Sequence, residues 1–352
     1  MYFFRHDLKE KHQVNVDVPH LKYMMCLNES TLDPFQVVKH EFLDLMHNIH
    51  LNRYYSNITQ ELYQEIATYA DVENDQIILG NGADEMLYYL FNAVRDNSNS
   101  FALSLSPSYF DYQSYCDAVG LSLKTITLLD DFSIDLDNLS LVSENPNCRL
   151  IIICNPNNPT GNLFPRDDII RIIELNPDKL ILIDETYFEF SGVTLVDLIN
   201  KYANLVIIRT FSKAFSAAGL RFGYMISSKE NIHEIKKVFT AFNLSILTQA
   251  LALTIIRNKK IFLEYNQQII RQREELYNFL NNIDRVQVFK SFTNFLLFRC
   301  KDYIDLFHYL KENEIAVRIV GDQGILKNCL RVSVADRKLN QVFIKAVNEF
   351  RI

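Results

Sequence analysis

The sequence predicts an α/β protein: a large, doubly wound domain on a mostly parallel sheet, joined to a smaller α+β domain. Three observations carry that expectation. From residue 75 to about 209, short and almost wholly apolar runs alternate with helical stretches, the texture of strands covered on both faces. After Lys229 the order changes to a long helical pattern, then short strands and two more helices. The chain has 352 residues, 48% hydrophobic and 22% charged, which suits about two domains sharing a sizeable core.

The first thirty residues are polar and mixed, and read as an arm with little structure of its own. From residue 34 to 48, Phe35, Val38, Phe42, Leu43 and Met46 recur at helical spacing, and Leu62, Ile66 and Tyr69 repeat it over 59–70. Strands are expected at 76–79, 100–105, 121–128, 150–154, 180–183 and 205–209, with covering helices at 84–94, 109–118, 166–174 and 195–201. A helical pattern then runs from Lys229 through Ala250, Ile256 and Glu264 towards Leu280. Strands at 286–289, 294–298, 316–319 and 330–334 follow, with helices at 302–312 and 339–350. No repeat or Pro/Gly/Ser linker interrupts the chain, so the boundaries fall inside folded structure. We place residues 1–48 as an arm and part of the small domain, 49–240 as the large domain and 241–352 as the small one.

Charge and composition exclude several classes of function. Lys and Arg number 36 against 43 Asp and Glu, a net charge of −7, so no basic face is available for nucleic acid. The longest apolar runs, 150–154 and 180–183, are far too short to span a bilayer. The N-terminus lacks a basic segment followed by an apolar core, and the six cysteines form no CxxC pair. Both features suit a reducing, cytoplasmic setting in which cysteines are small buried apolar residues. His47 and His50 can share a helix face, but two ligands without a third do not make a metal site.

The chemistry sits in loops after strands. Residues 154–161 read Cys-Asn-Pro-Asn-Asn-Pro-Thr-Gly, a turn-rich loop directly after a buried run. Residues 181–187, Ile-Leu-Ile-Asp-Glu-Thr-Tyr, place Asp184 at the carboxyl end of the next strand, and Lys213 follows the one after that. In open α/β sheets ligands bind in crevices beyond those strand ends, so an asparagine, an aspartate, a tyrosine and a lysine converge on one region. Gly82, Ala83 and Asp84 open the helix at 84–94, where backbone N–H groups and the helix dipole favour an anion. Neither GxGxxG nor GxxxxGK[ST] is complete there, which argues against a nucleotide loop.

Together these segments resemble the pyridoxal-phosphate aminotransferases of fold type I, class I/II. The matching stretches are Gly80-Asn-Gly-Ala-Asp-Glu85, Pro107-Ser-Tyr109, Asn155-Pro-Asn-Asn-Pro-Thr-Gly161, Asp184-Glu-Thr-Tyr187, Ser212-Lys213 with Arg221, and Leu330-Arg331. They occur in family order over nearly the whole chain. The resemblance implies a seven-stranded sheet in the large domain and pyridoxal 5′-phosphate as cofactor. It implies that Lys213 joins the cofactor aldehyde and then shuttles the proton between the substrate α-carbon and the cofactor. Asp184 would keep the pyridine nitrogen protonated, Tyr187 and Asn158 would bond the ring's phenolic oxygen, and Tyr109 would stack on the ring. Gly82, Ala83, Asp84, Ser212 and Arg221 would hold the phosphate, Arg by its planar fork. Tyr54, in Asn52-Arg-Tyr54, would reach the phosphate of a neighbouring subunit and make the site composite across a homodimer. Arg331 would clamp the substrate carboxylate, with Arg318 and Asn28 as further substrate-facing candidates.

Within that family the resemblance is greatest to the histidinol-phosphate aminotransferases, through Leu27-Asn28-Glu29, Asn52-Arg-Tyr54, Asp131-Phe-Ser-Ile-Asp-Leu136 and Ala217-Ala-Gly-Leu-Arg221. These move an amino group between histidinol phosphate with 2-oxoglutarate and imidazole-acetol phosphate with glutamate. The partners implied are therefore small: an amino acid or amino phosphate and a 2-oxo acid. The family pattern Asn-Glu-Asn-Pro is here Asn28-Glu29-Ser30-Thr31, and Arg-Tyr-Pro-Asp is Arg53-Tyr54-Tyr55-Ser56. Cofactor-facing segments thus match better than substrate-facing ones. An aromatic or other amino-acid aminotransferase and a threonine-phosphate decarboxylase share the scaffold and stay open at this point.

Overall fold

The computed structural model describes residues 3–11, 20–54, 56–321 and 323–350. The rest of the arm and Tyr55 lie outside them. Strand β1 (Tyr23–Met24) precedes helix α1 (Pro34–Met46), which starts where the Asp33 carboxylate accepts the Phe35 N–H. Helix α2 (Asn57–Ala70) is capped by Ser56 and buries Ile58, Leu62, Ile66, Ala67 and Ala70, its one apolar stripe. Asp71, in the left-handed region at φ 57°, ends it.

The main sheet follows, as β2 (Ile77–Gly80), α3 (Gly82–Val94), β3 (Phe101–Ser106), α4 (Asp111–Val119), β4 (Ser122–Thr127) and α5 (Leu136–Ser143). Next come β5 (Cys148–Cys154), α6 (Arg166–Leu175), β6 (Leu180–Asp184), the single turn α7 (Phe188–Ser191), β7 (Leu205–Thr210) and β8 (Gly223–Ser227). The seven strands lie in the order β2-β8-β7-β6-β5-β3-β4. Strands β3 to β7 are mutually parallel, and β8 pairs antiparallel with both β7 and β2. Strand neighbours divide the core by parity: Ile151, Ile153, Ile181 and Ile183 face one layer, whereas Leu150, Ile152 and Leu182 face the other. Each such buried side chain contributes about 1.5–3 kcal/mol relative to exposure. The chain runs outward from β3 to β4 and then restarts at β5 on the other side of β3. That reversal is the switch point where ligands bind in this class of sheet.

Helices α8 (Lys229–Lys236), α9 (Ile246–Arg257) and α10 (Lys259–Asn281) lead to β9 (Val286–Val288), β10 (Phe295–Cys300), α11 (Tyr303–Glu312), β11 (Ile315–Ala316), β12 (Arg318–Gly321), β13 (Cys329–Ser333) and α12 (Arg337–Phe350). A four-stranded antiparallel sheet has the order β12-β13-β10-β9, and β1 pairs parallel with β11. Helix α9 packs on α1 and α2, so the beginning of the chain is bound to its later part. Among the described residues no helix is long and apolar enough to cross a membrane.

Five local expectations differ from this fold. The single strand expected at 316–319 is two, β11 and β12, which join different sheets. The helical pattern from 229 to 280 is three helices: Ser245 caps α9 through the Thr248 N–H while Asn243 bonds Leu79 and Glu85 instead of continuing a helix, and Asn258 closes α9 on the Thr254 carbonyl before α10 begins. The expected helix at 195–201 is a 3₁₀ turn, Val196–Leu198: its Leu195 N–H is taken by Glu185, and the stretch is too short to nucleate alone. Strand β8 was not expected, since it directly follows the Lys213 loop and reads as part of it. Helix α5 was not expected either; Asp135 caps it through the Asn138 N–H.

Candidate active site

Beyond the carboxyl ends of β5, β6 and β7 lies a cavity of about 920 Å³, closed on its far side by β12, β13 and the segment after β1. Lys213 reaches it from the turn after β7. Thr210 shapes that turn: its hydroxyl accepts the Ser212 N–H at 3.1 Å and donates to the Ser212 hydroxyl at 2.9 Å. The Lys213 ammonium donates to the Leu27 carbonyl at 3.0 Å. Removal from water, reinforced by the charge of Arg331, pulls its pKa down to about 8.

Asp184 is buried at the end of β6. One oxygen accepts the Thr186 N–H (3.1 Å) and hydroxyl (2.6 Å); the other accepts the Tyr112 hydroxyl at 2.7 Å. Burial pushes its carboxyl up while these donors pull it down, and among the described residues it has no salt bridge. A buried carboxylate held only by neutral donors is poised for a cation that the chain itself does not supply.

Three residues after Asp184, the Tyr187 hydroxyl accepts from the Asn28 amide at 3.0 Å, and its ring meets Phe295 edge-on at 5.4 Å. Asn28 stands at φ 55°, its N–H donated to the Ser333 hydroxyl at 2.8 Å and its carbonyl accepting from Asn294 at 2.9 Å. Arg331, on β13, donates to the Asn158 side-chain oxygen at 2.5 Å and to the Cys26 carbonyl at 2.8 Å. Among the described residues its buried Nε has no partner, and burial pulls its pKa down to about 10. Arg318 lines the same cavity, its guanidinium 5.0 Å from the Phe110 ring centre.

At the start of α3 the backbone comes unusually close to its neighbours. Gly82 has φ +80°, and a Cβ there would sit 2.7 Å from Arg221 Nη2. A Cβ on Gly223 would sit 2.6 Å from the Ala83 nitrogen. Only glycine allows both approaches. Arg221, itself at φ 55°, bonds Asp84 and the Ala218 carbonyl, so a guanidinium and the first N–H groups of a 13-residue helix face one spot.

The family model for aminotransferase class I and II matches residues 22–347. The chain belongs to that family. A histidinol-phosphate aminotransferase of Caldanaerobacter subterraneus subsp. tengcongensis is 33% identical to this aminotransferase over 98% of this chain and 97% of its own. The crystal structure of the histidinol-phosphate aminotransferase from Clostridium acetobutylicum is 26% identical, with a TM-score of 0.82, covering 93% of this chain and 98% of that one. That of Sinorhizobium meliloti, in complex with pyridoxal-5′-phosphate, shares the fold at a TM-score of 0.83 and 22% identity, over 94% of this chain and 90% of its own.

Pyridoxal phosphate is the cofactor of this family, and the residues present fit it. An amine with a lowered pKa, a buried carboxylate without a cation, and a glycine cradle beside an arginine answer its aldehyde, ring nitrogen and phosphate in turn. Of the residues singled out from sequence, Asn28, Ala83, Asp84, Tyr109, Asn158, Asp184, Tyr187, Ser212, Lys213, Arg221, Arg318 and Arg331 line the one cavity. Gly82 sits behind them at the helix start. Tyr54 stands apart: it is 80% exposed and stacks on Phe242 at 4.9 Å, outside the cavity of its own chain.

Sequence reading missed Tyr112 and Thr186, which hold Asp184. It also missed the fully buried pair Arg209–Glu185 (2.8 Å), which ties β7 to the segment after β6. The signal for the pair was present: two opposite charges at the ends of adjacent apolar strands have no other way to be buried.

Proposed function

We propose that this aminotransferase exchanges an amino group between histidinol phosphate with 2-oxoglutarate and imidazole-acetol phosphate with glutamate. The observation that carries the reading is the 33% identity, over almost the full length of both chains, to a protein named for that reaction. Besides Arg221, two further guanidiniums, Arg318 and Arg331, line one cavity with Lys213 and support it, because both substrates of the pair are anions.

Bound pyridoxal phosphate supplies the electron-withdrawing ring that stabilises negative charge on the substrate α-carbon. Lys213 holds the cofactor and moves the α-proton: with a pKa near 8 a useful fraction of its amine is neutral at physiological pH. Asp184 holds a proton on the ring nitrogen. The Asn158 oxygen is taken by Arg331, which leaves its amide to donate towards the ring's phenolic oxygen. The Tyr187 oxygen accepts from Asn28, so its own proton is free for the same oxygen. Tyr109, which lines the same cavity, would pack against the ring. The first N–H groups of α3 at Gly82, Ala83 and Asp84, with Ser212 and Arg221, take the phosphate. Arg331 takes the substrate's anionic group, helped by Arg318 and by Asn28, which fixes the wall between them.

The functional unit in this reading is a cytoplasmic homodimer. Tyr54 and Phe242 form an exposed aromatic pair whose hydroxyl is available to a second copy, and Tyr54 would complete the partner's phosphate site. The division into 1–48, 49–240 and 241–352 places Lys213 in the large domain and Arg331 in the small one. Steady-state assays with histidinol phosphate, with phenylalanine and tyrosine, and with threonine phosphate test the substrate. Turnover with histidinol phosphate and 2-oxoglutarate at least about a hundredfold above the aromatic acids, a gap of about 2.7 kcal/mol, supports the reading. Preference for the aromatic acids, or carbon dioxide release from threonine phosphate, overturns it.

A further inference from the structure

The roles above leave the phenol of Tyr112 unused, although it is 1% exposed and bonded directly to Asp184. The two oxygens of that carboxylate are held differently. The first is bonded only by Thr186, two residues along the same loop, which moves with it. The second is bonded by Tyr112, from α4, 72 residues earlier in the chain. Among the described residues no other donor reaches that second oxygen. The Tyr112 ring also meets Tyr109 edge-on at 5.3 Å and 87°. One side chain therefore touches both Asp184 and Tyr109, two residues that line the same cavity.

We propose that Tyr112 is a positioning residue, whose hydroxyl tethers Asp184 to α4 and sets Asp184 and Tyr109 in fixed relation to the cofactor ring. The inference rests on the reading of Asp184 as the partner of the ring nitrogen. Burial and the neighbouring Asp184 charge push the Tyr112 phenol far above its ordinary range, so it stays a donor at every working pH. As a donor it favours the ionised carboxylate, and it keeps Asp184 a weak enough base that the ring nitrogen retains the proton. The other titratable groups facing Asp184 are Cys154 at the end of β5, Asp84 on α3 and Tyr187. Cys154 donates to the Pro156 carbonyl at 3.3 Å, and Asp84 is paired with Arg221, so of these titratable groups Tyr112 is the one bonded to Asp184.

The test uses Tyr112→Phe, which deletes one oxygen and keeps the ring against Tyr109. On apoenzyme, infrared difference spectra against Asp184→Asn identify the protonated Asp184 carboxyl, and titration gives its midpoint. Loss of a hydrogen bond to a buried charge is expected to raise that midpoint by about one to two pH units. In the holoenzyme kcat falls about tenfold while KM for both substrates stays within about twofold. Tyr112→3-fluorotyrosine, a stronger donor of nearly the same shape, moves the midpoint the other way and covers the case in which the phenylalanine variant does not fold. An unchanged midpoint in the variant that folds overturns the proposal, even if kcat falls, because the effect would not pass through Asp184. Failure of the wild-type enzyme to use histidinol phosphate would remove the substrate assignment but leave the infrared result standing. Full turnover in Asp184→Asn would instead remove the role given to Asp184.

Discussion

Lys213 and Asp184 depart from ordinary behaviour in opposite senses, and the departures have one cause. Burial penalises whichever form is charged, so it lowers the lysine and raises the aspartate. For the lysine this is useful at once: the neutral, nucleophilic fraction grows as pH rises through about 8. The rate at which apoenzyme captures pyridoxal phosphate should therefore climb with pH and level off above about 8, as stopped-flow absorbance would record. A rate that keeps climbing about tenfold per pH unit beyond about pH 9, as for an ordinary lysine, would contradict a desolvated Lys213. For Asp184 the benefit comes only with a cation opposite it. Asp184→Ala should still bind cofactor but lose several kcal/mol of transition-state stabilisation, a fall in kcat of about a thousandfold or more. Arg331→Lys replaces a fork that spans Asn158 and Cys26 by a point charge, and should raise substrate KM markedly with cofactor affinity intact. Lys213, Asp184 and Asn158 were legible in the sequence because each stands just past an apolar run that had to be a strand. The contacts of Asn28 with Tyr187, Leu27 with Lys213 and Tyr112 with Asp184 were not, since they join residues 159, 186 and 72 positions apart.

Among the elements, the start of α3 is the most constrained. Gly82 combines φ +80° with an arginine where a Cβ would go, so Gly82→Ala should weaken cofactor binding by pushing Arg221 off the phosphate position. Equilibrium titration of apoenzyme would show a loss of affinity of about tenfold or more; unchanged affinity would place the phosphate elsewhere. Helix α9 depends on its cap in the ordinary way. Ser245→Ala removes the acceptor for the Thr248 N–H and should cost about 0.5–2 kcal/mol in unfolding free energy, read from denaturant melts. The same cap separates α8 from α9, and Asn258 separates α9 from α10, which is why one long helical pattern became three helices. Periodicity reports which face is apolar, and Ile232, Ala250 and Leu276 all are, but it does not report where the backbone turns. Strand β8 was hidden for a related reason. Its five residues are all buried, yet they begin with a glycine that its close neighbour Ala83 requires, and a leading glycine looks like the end of a loop.

At the scale of the whole molecule, the cavity draws its wall from both ends of the chain: Asn28 near the beginning, Arg331 near the end, and Asp184 and Lys213 between. Neither sheet makes the site alone. The aromatic pair Tyr54–Phe242 lies outside it on the surface, and the role proposed for Tyr54 depends on a second copy. If the site is composite, mixing inactive Lys213→Ala with impaired Tyr54→Ala protein should restore activity through hybrid dimers that carry one intact site; full activity of Tyr54→Ala by itself would assign Tyr54 to the surface, and no recovery on mixing would contradict a composite site. The assignment as a whole turns on the half-reaction. Holoenzyme mixed with histidinol phosphate alone, in the absence of any acceptor, should change its cofactor absorption within one turnover, and 2-oxoglutarate should reverse the change. An enzyme whose spectrum ignores histidinol phosphate but responds to phenylalanine or tyrosine would contradict it.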